Sequence, residues 1–306
     1  MNQASSSRVA GILFILACVI SWGVYFPLAK IVLATVSPTI FLVIRLGVGA
    51  LTLFLVNLRL GKSLHIKRTD WVFVLLAGTI GIILHQLIQV NGLKYTSATN
   101  TGWTLTLIPP VTGILGWFWL KEKVSLQKII GLAVAMTGVT LLVSKGDLSR
   151  LSLRGNHGDL LVLASVGTWS VYTVMMKARL GRYEPLAVAA AHMLLGFAFF
   201  TVIGFFSLPQ LLSLGAKEWM IAILIGIIPS GLAYYWWAEG LRRLTVIDTS
   251  MFLFIEALAA SLTGWIVLGE FFTPAMVVAA VVIVIGVWIA QHRRKIGKAS
   301  VTLEEA

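Results

Sequence analysis

The sequence predicts an all-α membrane protein with ten transmembrane helices, arranged as two inverted five-helix repeats. Three observations lead to this fold class. The 306 residues are 58% hydrophobic and only 12% charged, whereas soluble domains carry about 25% charged residues. Ten apolar stretches are each long enough to cross a hydrocarbon core of about 30 Å, which takes about 20 helical residues. The second half of the chain also repeats the first.

Each apolar stretch has to be helical, because a segment inside lipid must satisfy its own backbone polar groups. The predicted spans 1 to 10 have the approximate bounds 9–29, 38–58, 71–91, 99–120, 126–144, 158–177, 186–207, 218–238, 246–268 and 273–291. Span 1 is longer than the apolar region of a signal peptide, which has about 7–15 residues. We therefore expect span 1 to be retained as the first helix.

The repeat extends through both halves of the chain. Residues 92–138 match residues 240–286 at a constant offset, and spans 1 and 6 also match residue by residue. The longest loop, 145–157, separates the two copies. The sequence therefore predicts two five-helix units, 1–147 and 148–306.

Because five is an odd number, the second unit must enter the membrane upside down relative to the first. If the N-terminus is cytoplasmic, 17 of the 24 Lys and Arg residues lie on the cytoplasmic side and six on the other, while Arg45 lies within a span. Cytoplasmic loops carry the excess of positive charge in membrane proteins. We therefore expect both termini in the cytoplasm and the chain in a bacterial-type inner (plasma) membrane.

Composition and motifs also argue against several classes of function. The net charge of +12 does not predict nucleic-acid binding, because the basic residues form short clusters between spans rather than one basic face. The one cysteine, Cys18, leaves no thiol cluster for a metal, so we expect no cofactor and no metal. The sequence has no phosphate-binding loop, zinc-protease motif or nucleophile motif, so we do not expect an enzyme.

Motifs at matched positions of the two units resemble those of the ten-helix EamA-type permeases in the drug/metabolite transporter superfamily. They are Thr96-Ser97-Ala98 and Thr245-Val246-Ile247-Asp248 after the third helix of each unit, and Leu120-Lys121-Glu122 and Leu268-Gly269-Glu270 at the end of the fourth. The resemblance covers essentially the whole chain. It implies a carrier of amino acids, nucleobases, sugars, nucleotide sugars or other metabolites, and many bacterial members look like exporters.

The chain departs from the family pattern in span 9, where family members often carry a proline. Here Ala257-Leu258 stands at the place that matches Pro109-Pro110 of span 4. Proline removes a backbone donor and kinks a helix. We therefore expect an interrupted span 4, and the departure argues against a symmetrical interruption in span 9.

Polar groups deep inside spans mark the candidate substrate site, because carriers with inverted repeats bind their solute near the membrane midplane. Glu256 lies near the middle of span 9, where a charged carboxylate costs a few kcal/mol. We expect it to face a wet cavity, to pair with a cation or to take up a proton. It is therefore a candidate for binding a substrate amine and for proton coupling. The alternative is a structural carboxyl group hydrogen-bonded inside the bundle.

Spans 2 and 3 supply further candidates. His85 and Gln89 share one face of span 3, with Gln86 beside them, and donors and acceptors one turn apart suit a zwitterionic or polar solute. Arg45 lies about two turns into span 2, where it could bind a substrate carboxylate. The alternatives are hydrogen bonds that only hold span 3 in the bundle, and an Arg45 side chain that snorkels or forms a structural pair.

The beginning of span 4 and the middle of span 8 also contain candidates. Asn100 and Trp103 could guard an entrance, and Thr104 belongs to a threonine face beside the two prolines, where freed carbonyl groups could line a cavity. A kink needed only for packing is the alternative. Span 8 has four consecutive aromatic residues, of which at most two can face a cavity. Tyr234 and Trp237 are the candidates.

Two aromatic pairs occupy matched positions in spans 1 and 6. They are Trp22 with Tyr25 and Trp169 with Tyr172. Because the units are inverted, we expect the pairs near opposite membrane surfaces. There they would act either as interfacial aromatic residues or as gates at the two ends of one pathway.

These features predict a secondary transporter that exports amino acids or related small metabolites by alternating access through a central cavity between the units. Alternatives are a proton-coupled efflux carrier of drugs or cationic amines, or a carrier of sugars or nucleotide-type metabolites. An intramembrane enzyme or a channel fits the features less well. The expected partners are a small-molecule substrate and the lipid bilayer. Both a monomer and an oligomer stay open, because Gly131, Ala135 and Gly138 can pack within one chain or between two.

Overall fold

The computed structural model describes residues 3–144, 157–269 and 273–292, and helices account for nearly all of them. Ten helices, α1 to α10, match the ten predicted spans, and some consist of several segments. They are α1 Gln3–Leu33; α2 Pro38–Leu60; α3 Trp71–Gly78, Thr79–Leu84 and His85–Tyr95; α4 Ala98–Leu105 and Ile108–Leu120; α5 Leu126–Ser144; α6 His157–Arg179; α7 Pro185–Ile203; α8 Ala216–Ile225, Gly226–Leu232 and Ala233–Arg243; α9 Val246–Ser250 and Leu253–Leu268; and α10 Pro274–Gln291. Short 3-10 turns lie at Arg68–Asp70, Leu180–Arg182 and Phe205–Ser213.

The helices have the length and composition of membrane spans. Within the described residues, nine helices are long and apolar enough to cross a membrane, and α5 has a shorter apolar stretch, Leu126–Leu142. The predicted fold class, an all-α membrane protein of two five-helix repeats, is confirmed. The predicted boundary between residues 147 and 148 falls outside the described residues and stays a prediction.

Helices of one unit pack mainly against helices of the other. α1 packs against α8 and α9, and its counterpart α6 packs against α3 and α4 in the same arrangement. α2 packs against its counterpart α7, and α5 packs against its counterpart α10. The buried core therefore lies between the two units, which is where an inverted-repeat carrier holds its solute.

Small residues bring α5 and α10 into close contact. A Cβ atom added at Gly286 would stand 2.4 Å from the backbone nitrogen of Ala135, and one at Gly131 would stand 2.6 Å from the carbonyl oxygen of Gly286. Gly138 is similarly close to Ile283, at 2.8 Å. These residues therefore pack within the chain, because only small side chains let two membrane helices approach so closely.

Two π-helical segments lie at matched positions, and the sequence did not predict them. Thr79–Leu84 interrupts α3, and Gly226–Leu232 interrupts α8. A π turn is wider than an α turn and often marks a functional site. Both segments precede the polar or aromatic residues that face the centre of the bundle.

Both α4 and α9 are interrupted, although the lack of a proline in span 9 argued against a symmetrical interruption. α9 stops at Ser250 and resumes at Leu253 without a proline. The Ser250 hydroxyl donates to the carbonyl oxygen of Val246 at 2.9 Å, and Thr249 bonds Thr245 in the same way. Such side-chain bonds compete with the backbone hydrogen bonds of the helix and often bend it. They therefore explain the interruption of α9 without a proline.

The motif that follows the third helix of each unit is a helix cap. The Ser97 hydroxyl accepts a hydrogen bond from the Asn100 backbone nitrogen at 2.9 Å, and the Thr245 hydroxyl accepts one from that of Asp248 at 3.2 Å. A hydroxyl at this position satisfies a backbone donor that the first helical turn leaves unpaired. The repeated Ser and Thr therefore begin α4 and α9 in equivalent ways.

Candidate functional site

A small cavity, the central cavity, lies between the two units. The volume open to the centre of a water molecule is about 30 Å³, and every lining residue is buried. Helices α1, α2, α3, α4, α6, α8 and α9 all contribute. The lining residues are Trp22, Tyr25, Phe26, Arg45, His85, Gln86, Gln89, Leu105, Ile108, Trp169, Tyr234, Leu253 and Glu256.

The central cavity brings together nine of the fourteen candidate residues predicted from the sequence. They are Trp22, Tyr25, Arg45, His85, Gln86, Gln89, Trp169, Tyr234 and Glu256. The remaining five do not line it. They are Asn100, Trp103, Thr104, Tyr172 and Trp237.

Arg45 enters the cavity from α2 and is fully buried, with 1% of its surface exposed. Its Nε donates to the Ser230 hydroxyl at 2.9 Å, and its Nη1 donates to Gln86 Oε1 at 3.1 Å. The guanidinium carbon stands 4.3 Å from the centre of the Tyr25 ring. Among the described residues, no carboxylate forms an ion pair with it. The snorkelling alternative is therefore wrong, because the side chain turns into the protein.

Glu256 enters the cavity from α9 and is 3% exposed. It forms no ion pair with any described cation, and its Oε2 has no hydrogen-bond partner. The helix interruption places Glu256 in the first turn of Leu253–Leu268. The amino-terminal end of a helix carries a partial positive charge that favours a carboxylate. The partial positive charge at the start of Leu253–Leu268 therefore offsets part of the free-energy cost of burying a charged Glu256 carboxylate.

Of the three polar residues of α3 that line the cavity, His85 and Gln86 form side-chain hydrogen bonds with described residues and Gln89 forms none. Gln86 donates from Nε2 to the Tyr234 hydroxyl, so a chain of hydrogen bonds connects Arg45, Gln86 and Tyr234. His85 Nδ1 donates to the carbonyl oxygen of Ser165 at 3.1 Å, which leaves Nε2 as an acceptor. Gln89 lines the cavity and makes no side-chain hydrogen bond to the described residues. His85 and Gln89 therefore retain bonding capacity for a solute.

The aromatic candidates meet at the centre, so the expectation of two pairs near opposite membrane surfaces is wrong. The ring centres of Trp22 and Trp169 are 5.2 Å apart. α1 continues to Leu33, beyond the predicted end of span 1. At 1.5 Å per helical residue, Trp22 lies about 16 Å from the observed end of α1 at Leu33. Tyr234 and Trp237 pack against Trp22 at 5.5 and 5.3 Å. The four rings form one cluster beside the cavity.

The residues that do not line the cavity are engaged elsewhere. The Thr104 hydroxyl donates to the carbonyl oxygen of Asn100 at 2.9 Å, so the threonine satisfies its own helix instead of lining a cavity. Trp103 is half-buried and packs on the core. The Tyr172 hydroxyl bonds His192 Nδ1 at 3.2 Å. Trp237 belongs to the aromatic cluster without reaching the cavity.

Sequence reasoning missed several residues of the site. Ser230 and Pro229 belong to the π segment of α8, where Ser230 accepts from Arg45 and the Pro229 carbonyl oxygen accepts from Trp22 Nε1 at 2.8 Å. The π-helical turn is the structural context that could have identified them, but it depends on packing. The apolar lining residues Phe26, Leu105, Ile108 and Leu253 have no local signal within an apolar span. No group of three His, Cys, Asp or Glu residues in the described parts of the chain could hold a metal ion.

Comparisons with known proteins agree with this architecture. The family model described as "EamA-like transporter family" matches the chain twice, at residues 9–144 and 156–290. An uncharacterized transporter of Bacillus subtilis, YvbV, is 28% identical over 307 residues, covering 98% of this chain and 97% of that protein. An uncharacterized transporter of Archaeoglobus fulgidus is 27% identical over 276 residues, covering 89% and 95%. One crystal structure shares the fold with a TM-score of 0.77 at 21% identity, covering 93% of this chain and 98% of that one.

Proposed function

Because this chain belongs to the EamA-like transporter family, we propose that it is an inner-membrane secondary transporter that exports amino acids or related small zwitterionic metabolites. The family identifies an integral membrane transporter. The substrate class, the direction of transport and the alternating-access cycle are our proposal.

The observation that carries the proposal is that one cavity contains two buried ionisable groups of opposite charge, and neither forms an ion pair with a described residue. Arg45 offers N–H donors, and Glu256 offers an unbonded carboxylate oxygen. Each charged group at this depth costs about 2.5–3.5 kcal/mol. A zwitterion would offset both costs at once, because its carboxylate complements the guanidinium and its ammonium complements the carboxylate.

The surrounding residues fit a small amino acid in one orientation. The substrate carboxylate would bind at Arg45, whose guanidinium bonds Ser230 and Gln86 and carries further N–H donors. The substrate ammonium would bind at Glu256, and the His85 Nε2 acceptor also lines the cavity. The substrate side chain would pack against the ring of Trp169.

The size of the central cavity supports a cycle in which the two units move. The space open to the centres of water molecules is only about 30 Å³, and every lining residue is buried. In the proposed cycle, substrate entry would require the units to separate on one side. Inverted-repeat carriers do this by rocking one unit against the other.

Ion pairs between the units cluster at the face where α1 begins, which we call the N-terminal face. Asp248 of α9 pairs with Lys128 of α5 at 2.8 Å and with Arg8 of α1 at 3.6 Å. Lys62 pairs with Glu239 at 3.3 Å on the same face. Such pairs hold this face closed in the described conformation, and they would have to separate when it opens.

A second candidate function follows from Glu256 alone. Since no described cation forms an ion pair with this carboxyl group, a proton is the simplest neutralising partner when the cavity is empty. A cationic amine could then displace that proton. This gives a proton-coupled efflux carrier of cationic amines, in which Arg45 would not contact the substrate.

Counterflow in proteoliposomes separates these functions. Vesicles loaded with one unlabelled compound are tested for accelerated uptake of labelled alanine, using alanine, alaninamide, propionate and ethylamine as the loaded compounds. We expect alanine to accelerate exchange and the three analogues, which each lack one charge, to do so weakly. Exchange driven equally by ethylamine supports the amine carrier instead. Uptake that no loaded compound accelerates contradicts a carrier cycle.

A further inference from the structure

An open cleft lies on the outer surface of the bundle between α4 and α5, and we call it the α4–α5 cleft. Its volume is about 820 Å³. Apolar side chains, including Ile114, Trp117, Phe118 and Ile129, form its walls, and Lys121 and Lys123 stand at one end. Ile114, Trp117 and Phe118 are each more than half exposed. The cleft faces the membrane and is separate from the central cavity.

The length of the cleft matches one leaflet of a bilayer. Its lining along α4 runs from Pro110 to Lys121. At 1.5 Å per helical residue this distance is about 16 Å, which is close to half of a hydrocarbon core of about 30 Å. The apolar walls therefore lie at the depth of acyl chains, while the two lysines lie at the depth of lipid head groups.

The two lysines are not neutralised by the acidic residue between them. Glu122 also lines this end of the cleft, but both of its carboxylate oxygens accept from the Val246 backbone nitrogen, at 3.1 and 3.0 Å. Lys121 and Lys123 are exposed, and neither forms an ion pair with a described residue. Basic clusters beside transmembrane helices attract anionic lipid head groups.

We propose that the α4–α5 cleft binds one anionic phospholipid, such as phosphatidylglycerol. The acyl chain packs against Trp117 and Ile114, and the two lysines bind the phosphate as point charges. A second copy of the chain fits this surface less well. A twofold interface would place the same patch on both partners, and the lysines would then face lysines.

The attraction between the two lysines and an anionic head group sets the expected preference for phosphatidylglycerol over phosphatidylcholine. Each basic residue near the lipid surface contributes about 1 kcal/mol of attraction, which corresponds to about a fivefold change in affinity. Replacing both lysines should therefore weaken phosphatidylglycerol binding by roughly 20- to 30-fold. Binding of neutral phosphatidylcholine should change little, because the apolar walls are unaltered.

Native mass spectrometry of the purified full chain, titrated with phosphatidylglycerol or phosphatidylcholine, tests this proposal. We expect Lys121→Gln/Lys123→Gln to lose the preference for phosphatidylglycerol. The matched control, Lys67→Gln/Arg68→Gln, removes two charges from another loop at the same face and should keep the preference. Equal losses in the two double variants overturn the proposal, because they mean that only net charge matters.

A second pair of variants tests the cleft itself. Ile114→Trp narrows the cleft without changing charge, and Val281→Trp adds the same bulk to an exposed position on α10. We expect only Ile114→Trp to weaken phosphatidylglycerol binding. Unchanged binding in Ile114→Trp overturns the proposal. A dimer that disappears in Ile114→Trp also overturns it, by assigning the cleft to a second copy. None of these outcomes depends on the transported substrate.

Discussion

Replacing Arg45 with Gln should weaken the binding of substrates that carry a carboxylate and spare those that do not. The wild-type guanidinium bonds Ser230 at 2.9 Å and Gln86 at 3.1 Å, and it forms no ion pair with a described carboxylate. A hydrogen bond to a charged group contributes about 1.5–3 kcal/mol. Losing one such bond corresponds to a decrease in affinity of about 10- to 150-fold. Glutamine keeps amide N–H donors, from which Ser230 and Gln86 can accept, but removes the positive charge.

The assay compares two substrates in two proteins. Alanine and alaninamide each compete with a labelled substrate for uptake into proteoliposomes that contain either the wild type or Arg45→Gln. The four half-inhibiting concentrations form a thermodynamic cycle. We expect the variant to lose affinity for alanine by the factor above and for alaninamide by less than about threefold. Equal losses for both compounds refute the assignment of Arg45 to the carboxylate. The thermal melting midpoint of each protein controls for misfolding.

Three further outcomes follow from the described contacts. Glu256→Gln should remove the pH dependence of exchange and lower the binding affinity for amine-bearing substrates by about 10- to 150-fold. An unchanged pH profile would contradict a role for this carboxyl group. Asp248→Asn should weaken the ion pairs that close the N-terminal face, so the buried Cys18 should be alkylated faster than in the control variant Asp159→Asn, as measured by mass spectrometry. Equal alkylation rates in the two variants argue against closure by these ion pairs. Gly286→Leu should lower the melting midpoint of the detergent-solubilised protein by several degrees, because its Cβ would stand 2.4 Å from Ala135, and an unchanged midpoint contradicts the α5–α10 packing.

The sequence was a sufficient guide where the physical signal is local. An apolar run of the right length identifies a span, and a carboxyl group or guanidinium within such a run has a high cost that demands a reason. Arg45 and Glu256 were predicted on that ground, and both line the central cavity. The small residues of α5 and α10 were also visible in the sequence, although only the structure shows that they pack within one chain.

The sequence was a poor guide where depth or backbone geometry decides. An apolar pattern does not mark how far a residue lies from the membrane surface, so Trp22 and Trp169 were expected at opposite ends although their rings meet at 5.2 Å. A serine inside a span is common, and nothing local marks Ser230 as the partner of Arg45. The interruption of α9 depends on hydroxyl groups that bond backward to the backbone, a signal that is weaker in sequence than a proline.

In the proposed site, the positions of the two ionisable groups would set the orientation of a bound zwitterion. The counterpart of Arg45 is His192, which bonds Tyr172 and the Val74 carbonyl oxygen away from the cavity. Ile108, the counterpart of Glu256, also lines the cavity but carries no charge. A symmetrical site would accept a zwitterion in two opposite orientations. In the proposed site the substrate carboxylate would have a partner only in the first unit and the ammonium only in the second, so the two units would hold opposite ends of one molecule. If the units rock as proposed, the substrate would connect them, and the two groups proposed to bind it stand where the repeat symmetry is broken.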